Sequence, residues 1–284
     1  ILWGLFKKMV IADNCAVIVN DVFPSYADYP GGTLLLVVVF FGFQIYGDFS
    51  GYSDIAIGTA RLFGFNIMRN FAFPYFSRDI AEFWRRWHIS LSSWFRDYVY
   101  IPLGGSRGTV WISIRNTFIV FIVSGFWHGA NWTFIIWGAL NAIYFLPLML
   151  LKRNRKNIEI VAKGRRLPPF RDVILILGNF GLVSLAWVFF RAENLSQALG
   201  YLQRIFSGSL VQFSQIHSEK NGVMVLLLIV VLVITEWIGR ENQHALEFVH
   251  SRKSRVSRWI IYVVLVFAIL SLGGSQQEFI YFQF

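Results

Sequence analysis

Long apolar stretches, separated by shorter polar ones, occupy most of this chain. A helix needs about 20 predominantly apolar residues to cross a bilayer. That pattern predicts spanning segments over 33–60, 172–190, 222–237 and 259–273. The stretch 111–151 is long enough for two short spans with a break near Gly129 to Asn131. The first 23 residues are apolar but interrupted by charged side chains, which favours a helix at the membrane surface, or a short span, over a deep one.

The segment 61–115 has a different pattern, with eight arginines and three acidic residues interleaved with tryptophan and tyrosine. Helical spacing places one set of side chains on a common apolar face: Trp84, Trp87, His88, Leu91, Phe95 and Tyr98. The pattern predicts an amphipathic or re-entrant helix that begins near Ser77 and ends before Pro102. The chain is therefore predicted to be an all-α, polytopic helical membrane protein.

Composition supports the membrane assignment. Hydrophobic residues make up 56% of the chain and charged residues only 15%, against about 25% charged in soluble domains. The net charge of +10 would suggest nucleic acid in a soluble protein. In a membrane protein it favours basic loops on the cytoplasmic side, here 152–171 and 240–258, with 191–221 and the C-terminus outside. No nucleic-acid partner is predicted.

Cysteine and histidine usage argues against metal or cofactor chemistry. The single cysteine, Cys15, cannot form an internal disulfide or a multi-cysteine zinc site. His88 and His128 have no carboxylate or cysteine cluster at metal-ligand spacing, and no dinucleotide or P-loop fingerprint is present. We predict no metal and no bound cofactor. Because the chain opens at Ile1 within an apolar run, we also expect an N-terminal portion to be missing.

His128 stands out within the run SGFWHGANW (124–132), in a strongly apolar segment. An ionisable group in hydrocarbon is unfavourable, and its ring nitrogens need partners. The residues alone support two interpretations equally: a core histidine hydrogen-bonded across helices, or a reactive base. Gly125 and Gly129 have the spacing that lets a neighbouring backbone approach closely.

Two acidic residues in the predicted span 33–60, Asp48 and Asp54, also leave two interpretations open. They either pair with a neighbouring group, Asp54 for example with Arg61, or they orient a histidine and line a polar cavity. The small residues around them, including Gly47 and Gly51, predict close helix packing in this segment.

Several runs, taken together, closely resemble the membrane-bound O-acyltransferases (MBOAT). The two most specific contain the histidines: FWRRWHISLSSWFRDYVYIPLGGSRG (83–108) and SGFWHGANWTFIIWGALNAIYF (124–145). Four more are similar to the family: GLFKKMVIADN (4–14), YGDFSGYSDIAIGTARLFGF (46–65), SLAWVFFRAENLSQAL (184–199) and FIYFQF (279–284). The resemblance runs along essentially the whole chain, in order. It is nearest to the bacterial alginate O-acetyltransferase branch, with the branch that D-alanylates teichoic acid second.

The resemblance implies a funnel-shaped helical membrane protein with its active site inside the bilayer. It implies that 1–284 is a single membrane domain, the C-terminal portion of a longer chain that carries more N-terminal helices. It also implies that His128 is the catalytic histidine, that His88 supports the site, and that the two lie close together.

Acyl transfer to a hydroxyl needs a base, a donor to the developing oxyanion, and exclusion of water. A neutral imidazole at His128 can take the proton, and His88, Asn131 or an indole N–H can donate to the oxyanion. Phe126, Trp127 and Trp132 are expected to exclude water. The predicted substrate-binding residues are Trp87, Trp127, Asn131, Trp132 and Asp54. The basic segment 61–115 either receives an anionic donor or only anchors the chain at the cytoplasmic face.

The expected protein is a multi-pass O-acyltransferase of the bacterial inner membrane. It moves an acetyl or other acyl group from a cytoplasmic thioester, such as acetyl-CoA, toward hydroxyls of an exported polysaccharide such as alginate. Membrane lipid and extracytoplasmic acetyltransferase proteins are the expected partners. Two alternatives remain open: D-alanyl transfer to teichoic acid, and a channel or export component in which His128 and Asp54 line a polar pathway without chemistry.

Overall fold

The computed structural model describes residues 1–216, 218, 220–252 and 254–279, without the side chains of 250–252. Residues 280–284 of the terminal FIYFQF run lie outside the described residues. The described chain forms helices and turns without strands, and it divides into two compact units. The first unit comprises Ile1–Arg69 and the residues from Gln203 onward, and the second comprises Asn70–Leu202. The prediction of one membrane domain over 1–284 stays a prediction.

The described residues contain twelve α-helices, of which the ninth crosses the boundary between the two units. In chain order they are α1 (Leu2–Leu5), α2 (Asp13–Val22), α3 (Gly31–Leu62), α4 (Ile80–Arg86), α5 (Ile89–Phe95), α6 (Val110–His128), α7 (Trp132–Leu150), α8 (Phe170–Arg191), α9 (Leu195–Ile205), α10 (Gly222–Gly239), α11 (Glu247–Arg252) and α12 (Arg255–Leu272). Two π-helical sections, Phe6–Ala12 and Arg96–Tyr100, continue α1 into α2 and extend α5.

Six of these helices, α3, α6, α7, α8, α10 and α12, are long and apolar enough to cross a membrane. They confirm the predicted spans, and the two helices within 111–151 separate at Gly129 to Asn131 as expected. The protein is therefore a multi-pass helical membrane protein. The assignment of its loops to the two sides of the membrane stays a prediction.

In the first unit, the helix that runs from α1 through α2 packs along α3 and is largely buried. Val10, Ile11 and Cys15 are completely buried. The charges that favoured a surface helix or a short span are paired internally, and the position of this stretch relative to the membrane stays a prediction. The Lys7 Nζ lies 2.7 Å from Asp54, and the Lys8 Nζ lies within 2.8 Å of both Asp13 and Asp48.

These pairs settle how Asp48 and Asp54 are held in the first unit. Asp54 pairs with Lys7 and not with Arg61, so the pairing suggested by sequence proximity was wrong. Asp54 also lines a cavity of about 450 Å³ together with Arg61 and His244. The small residues of α3 allow the close helix packing that was predicted, because a Cβ added at Gly51 would lie 2.8 Å from the Gly4 carbonyl oxygen.

In the second unit, the predicted single amphipathic helix is broken at His88. The helix cap is Asp79 rather than Ser77, since the Asp79 carboxylate accepts the Glu82 N–H at 2.7 Å. The first helix, α4, ends with Trp87 as its C-cap, and the next helix, α5, begins at Ile89. The prediction of a continuous helix was wrong, because backbone N–H groups at this point donate to Asn70 instead of to the preceding helical turn. The Asn70 carbonyl accepts the Ile89 N–H, and its side chain accepts the Ser90 N–H.

Glu82 fixes the first half of this broken helix. Its carboxylate is almost completely buried and accepts hydrogen bonds from the Arg78 and Arg86 guanidinium groups at 3.0 and 2.7 Å. A buried carboxylate held by two guanidinium groups resists displacement strongly, since removal of one partner leaves a buried charge. The Trp84 Nε1 donates to the Asn141 Oδ1 at 3.3 Å and thereby attaches α4 to α7.

Candidate active site

His128 is the last residue of α6 and lies at the break before α7. Its half-buried ring is surrounded by aromatic side chains, several of them in edge-to-face contact. The ring centroids of Trp127, Phe190, Trp137 and Phe134 lie 4.9, 5.0, 5.3 and 6.4 Å away. An imidazole in such surroundings is shielded from bulk water on several sides, and its two nitrogen atoms are the groups that can form hydrogen bonds.

The helix break that carries His128 is positioned by close packing of α6 on α7. A Cβ at Gly125 would overlap the Phe134 carbonyl oxygen, and a Cβ at Gly138 would overlap the Phe121 carbonyl oxygen. The two glycines therefore let each helix backbone reach the other. The expectation that Gly125 admits a neighbouring backbone is confirmed. At Gly129, an added Cβ would instead meet the Phe134 ring at 2.7 Å.

A stack of tryptophans connects His128 to His88. Trp137 contacts His128 and stacks on Trp187 with centroids 5.6 Å apart, and Trp187 contacts Trp87 at 5.3 Å. His88 follows Trp87 directly in sequence. Both predicted histidines therefore lie in the second unit, where these three tryptophans connect them. Their roles in the site stay predictions.

The backbone of His88 is left-handed, with φ 44° and ψ 56°. A non-glycine residue in this region is uncommon, although histidine is enriched there. Such a conformation is disfavoured by about 1–3 kcal/mol and concentrates at functional sites, where the surrounding contacts maintain it. Here the main chain next to His88 is held by buried Trp87 before it and, after it, by the Ile89 and Ser90 N–H groups that donate to Asn70.

The imidazole of His88 is only 9% exposed, and its Nδ1 lies 3.5 Å from the Ser90 Oγ. Burial lowers the pKa of His88 from 6.5 to about 4, although a backbone hydrogen bond opposes the shift. The side chain is therefore neutral at pH 7 and carries one N–H donor and one acceptor nitrogen.

We expect acid to destabilise the wild-type protein more than the His88→Asn variant. Between pH 6.5 and about 4 the unfolded chain protonates His88 and the folded chain does not, so the free energy of unfolding falls as the pH falls. The difference amounts to up to about 3 kcal/mol at pH 4. Asparagine tolerates the left-handed backbone and does not titrate. Melting temperatures in detergent at pH 7 and pH 4.5 measure the effect. An identical loss in both proteins would contradict the assigned burial of His88.

Asn131 braces the break between α6 and α7. Its Oδ1 accepts the Thr133 N–H at 3.1 Å and caps α7, and its Nδ2 donates to the Glu193 carbonyl at 2.8 Å. Both ends of the amide are thus engaged within the protein. The contact of Asn131 with substrate stays a prediction, whereas its two hydrogen bonds show that it joins the start of α7 to the chain at Glu193.

The aromatic wall around His128 differs from the predicted one. Trp127 contacts the ring but is 53% exposed, Trp132 is 70% exposed, and Phe126 is exposed as well. The role of Phe126 and Trp132 in excluding water therefore stays a prediction. Buried Trp137 and Phe190 contact the His128 ring, and Trp187 packs against both of them. Trp187 and Phe190 are three residues apart in a helix, a spacing that would have placed them on one face.

The remaining predicted site residues lie in different places. Trp87 is buried and stacks on Phe83 with centroids 5.3 Å apart, so it belongs to the packing that supports His88. Asp54 lies in the first unit, in its ion pair with Lys7. Within the described residues, no group of three or more histidine, cysteine, aspartate or glutamate side chains is arranged to hold a metal ion.

Comparison with known proteins gives matches along much of the chain. The sequence model of the membrane-bound O-acyltransferase family matches residues 24–188. A probable alginate O-acetylase of Pseudomonas aeruginosa is 40% identical over 237 residues, which cover 83% of this chain and 43% of that protein. A peptidoglycan O-acetyltransferase of Helicobacter pylori is 43% identical over 200 residues, covering 70% of this chain and 36% of that protein.

A more distant relative is a teichoic acid D-alanyltransferase of Streptococcus thermophilus. It is 33% identical over 207 residues, which cover 67% of this chain and 50% of that protein. The chain thus spans about half or less of the length of these relatives.

Proposed function

The chain belongs to the membrane-bound O-acyltransferase family, and from this premise we propose that the whole protein transfers an acyl group from a thioester to a hydroxyl, with His128 as general base. The observation that carries this proposal is the position of His128. Its imidazole ends a transmembrane helix at a break, inside an aromatic enclosure, with a second neutral histidine nearby.

In the proposed reaction, the acceptor hydroxyl donates its hydrogen bond to the unprotonated imidazole nitrogen of His128. The hydroxyl oxygen attacks the thioester carbonyl carbon while the proton passes to His128. The tetrahedral intermediate then collapses, the carbon–sulfur bond breaks, and the His128 proton passes to the leaving sulfur. The products are an ester and a thiol, and the histidine is regenerated.

His88 is proposed to stabilise the negative charge on the carbonyl oxygen through its ring N–H. A neutral donor suits this task, since a cation beside His128 would oppose protonation of the base. The left-handed backbone and the low pKa of His88 both support a ring that is held rigidly and stays neutral. Fixed donors of this kind contribute about 10²–10³-fold to acyl transfer.

The aromatic enclosure is proposed to keep water away from the thioester. Buried Trp137 and Phe190 contact the His128 ring, and Trp187 packs against both of them. Water that reached the activated carbonyl would hydrolyse the donor without producing the ester. The same enclosure does not favour a polar transport pathway through His128.

The donor and acceptor are proposed from the relatives. We infer an acyl thioester on the cytoplasmic side, with acetyl-CoA the simplest, and an exported polysaccharide such as alginate as acceptor. The setting would be the bacterial inner membrane. Extracytoplasmic acetyltransferase proteins are proposed partners that receive the group or complete its transfer. The relatives named as an alginate O-acetylase and a peptidoglycan O-acetyltransferase support acetyl as the group.

A second candidate, D-alanyl transfer to teichoic acid, uses the same chemistry and is supported by the Streptococcus thermophilus relative. A single experiment separates the two. The source bacterium, deleted for the gene and then complemented with the full-length protein, is analysed for acetyl and D-alanyl esters on its surface polymers. Restored acetyl ester supports the proposal, and restored D-alanyl ester supports the second candidate. Unchanged levels of both esters would refute acyl transfer.

A further inference from the structure

The connection between α7 and α8 carries the most concentrated charge in the second unit. Residues 152–171, here named the basic loop, contain eight lysines and arginines against one acid, Glu159. All eight basic side chains are exposed. A run of this kind next to a spanning helix creates a strong local positive potential.

Most of these cations have no acidic partner. Lys152, Arg153, Arg155, Lys156, Lys163 and Arg171 form no ion pair with any described residue. By contrast, Arg78 and Arg86 at the neighbouring helix α4 both form ion pairs with Glu82. The charge of the basic loop is therefore available to an anionic partner.

The main chain of the basic loop is fixed, although its side chains are exposed. Arg85 donates to the carbonyls of Asn154 and Asn157 at 3.0 and 2.8 Å, and Arg78 donates to the Glu159 carbonyl at 2.7 Å. The Asn157 Nδ2 adds a bond of 2.7 Å to the Asp79 carboxylate. These bonds hold the loop on α4 by its backbone, so the basic side chains project from a prearranged surface.

The depth of the basic loop relative to the bilayer depends on the two helices that the loop joins. The loop begins where α7 ends at Leu150 and leads into α8 at Phe170, and both helices are candidate membrane spans. Large apolar side chains are exposed at its two ends, among them Leu151, Leu167 and Phe170. This combination places cations at the depth of the lipid head groups and apolar side chains beside the acyl chains.

From this arrangement we propose that the basic loop binds the anionic phospholipid head groups of the leaflet that it faces. The cations are spread over 20 residues of sequence from Lys152 to Arg171, which suits several head groups better than one soluble anion. The flanking apolar side chains would contact the lipid tails, which a soluble anion does not have. The contact requires no acyl-transfer chemistry.

The test compares lipid retention by the full-length protein in detergent, measured by native mass spectrometry. The probes are phosphatidylglycerol and phosphatidylcholine with identical acyl chains. In one variant Arg153, Arg155, Lys156 and Lys163 are all replaced by glutamine. In the matched control, Arg153→Lys and Arg155→Lys keep the charge. An unchanged melting temperature verifies that each variant is folded.

We expect the wild-type protein and the lysine control to retain phosphatidylglycerol in preference to phosphatidylcholine. Each lost cation weakens binding by about fivefold, so the glutamine variant, which lacks four, should bind phosphatidylglycerol more weakly by a factor of more than about 100. Equal binding of phosphatidylglycerol by the wild-type protein and the glutamine variant would overturn the proposal. Complete displacement of the lipid by millimolar inorganic phosphate would also overturn it, since that result indicates a site for a soluble anion.

Discussion

The His128→Gln variant is expected to transfer acyl groups about 10²–10⁴-fold more slowly than the wild-type protein, because a positioned base contributes that factor. Glutamine approximates the size of histidine and can form hydrogen bonds, but it cannot accept the hydroxyl proton near pH 7. The aromatic rings around the position can pack against either side chain, so the variant should fold. We expect kcat to fall with little change in KM for the thioester, since the base acts in the transition state.

The measurement is the initial rate of ester formation by the full-length protein, with His244→Gln as the matched control. His244 lies in the first unit and takes no part in the ring contacts around His128, so its replacement removes an imidazole that has no role in the proposed proton transfer. The control should retain the wild-type rate. A His128→Gln protein that is folded and transfers acyl groups at the wild-type rate would exclude His128 as the base.

The second large effect is expected at the crossing of α6 and α7. Gly125→Ala and Gly138→Ala each place a methyl group against a carbonyl oxygen of the facing helix, so the two helices must separate. Overpacking of this kind destabilises a protein by about 1–3 kcal/mol. His128 lies three residues after Gly125, whereas its contact Trp137 lies on α7. A displacement of about 1 Å at such a site lowers activity by about 10²-fold.

Gly178→Ala and Gly181→Ala on α8 are the matched controls, since an added Cβ at either position meets nothing within 4 Å. Alanine is the better helix former, so these variants should be as stable as the wild-type protein or slightly more stable. Melting temperatures in detergent should fall by roughly 3–10 °C for the two crossing variants only. Equal melting temperatures in all four variants would show that α6 and α7 do not pack as described.

Local sequence patterns were sufficient for the spanning helices and for the break before Asn131. Apolar length defined α3, α6, α7, α8, α10 and α12 to within a few residues. The glycine spacing around His128 also predicted close helix packing correctly, because that packing depends on the absence of a side chain at Gly125. These features are set by residues near one another in sequence.

Features that depend on distant residues were not predictable in the same way. The helix that carries His88 is broken where the Ile89 and Ser90 N–H groups donate to Asn70. Asn70 lies outside 77–98, so the periodicity of that segment could not reveal it. The charges of Lys7 and Lys8 indicated a surface helix until their partners on α3 were known. The enclosure of His128 relies on Trp187 and Phe190, about 60 residues further along the chain.

The most direct test of the central claim follows the acyl group itself. Full-length wild-type and His128→Gln proteins, in proteoliposomes with the extracytoplasmic partner proteins, receive a thioester labelled in its acetyl group and the polysaccharide acceptor. We expect ester-linked label on the polysaccharide with the wild-type protein, together with an equal amount of free thiol. With His128→Gln we expect only background label. Equal labelling by the two proteins, or no ester with the wild-type protein while the thioester stays intact, would contradict the central claim.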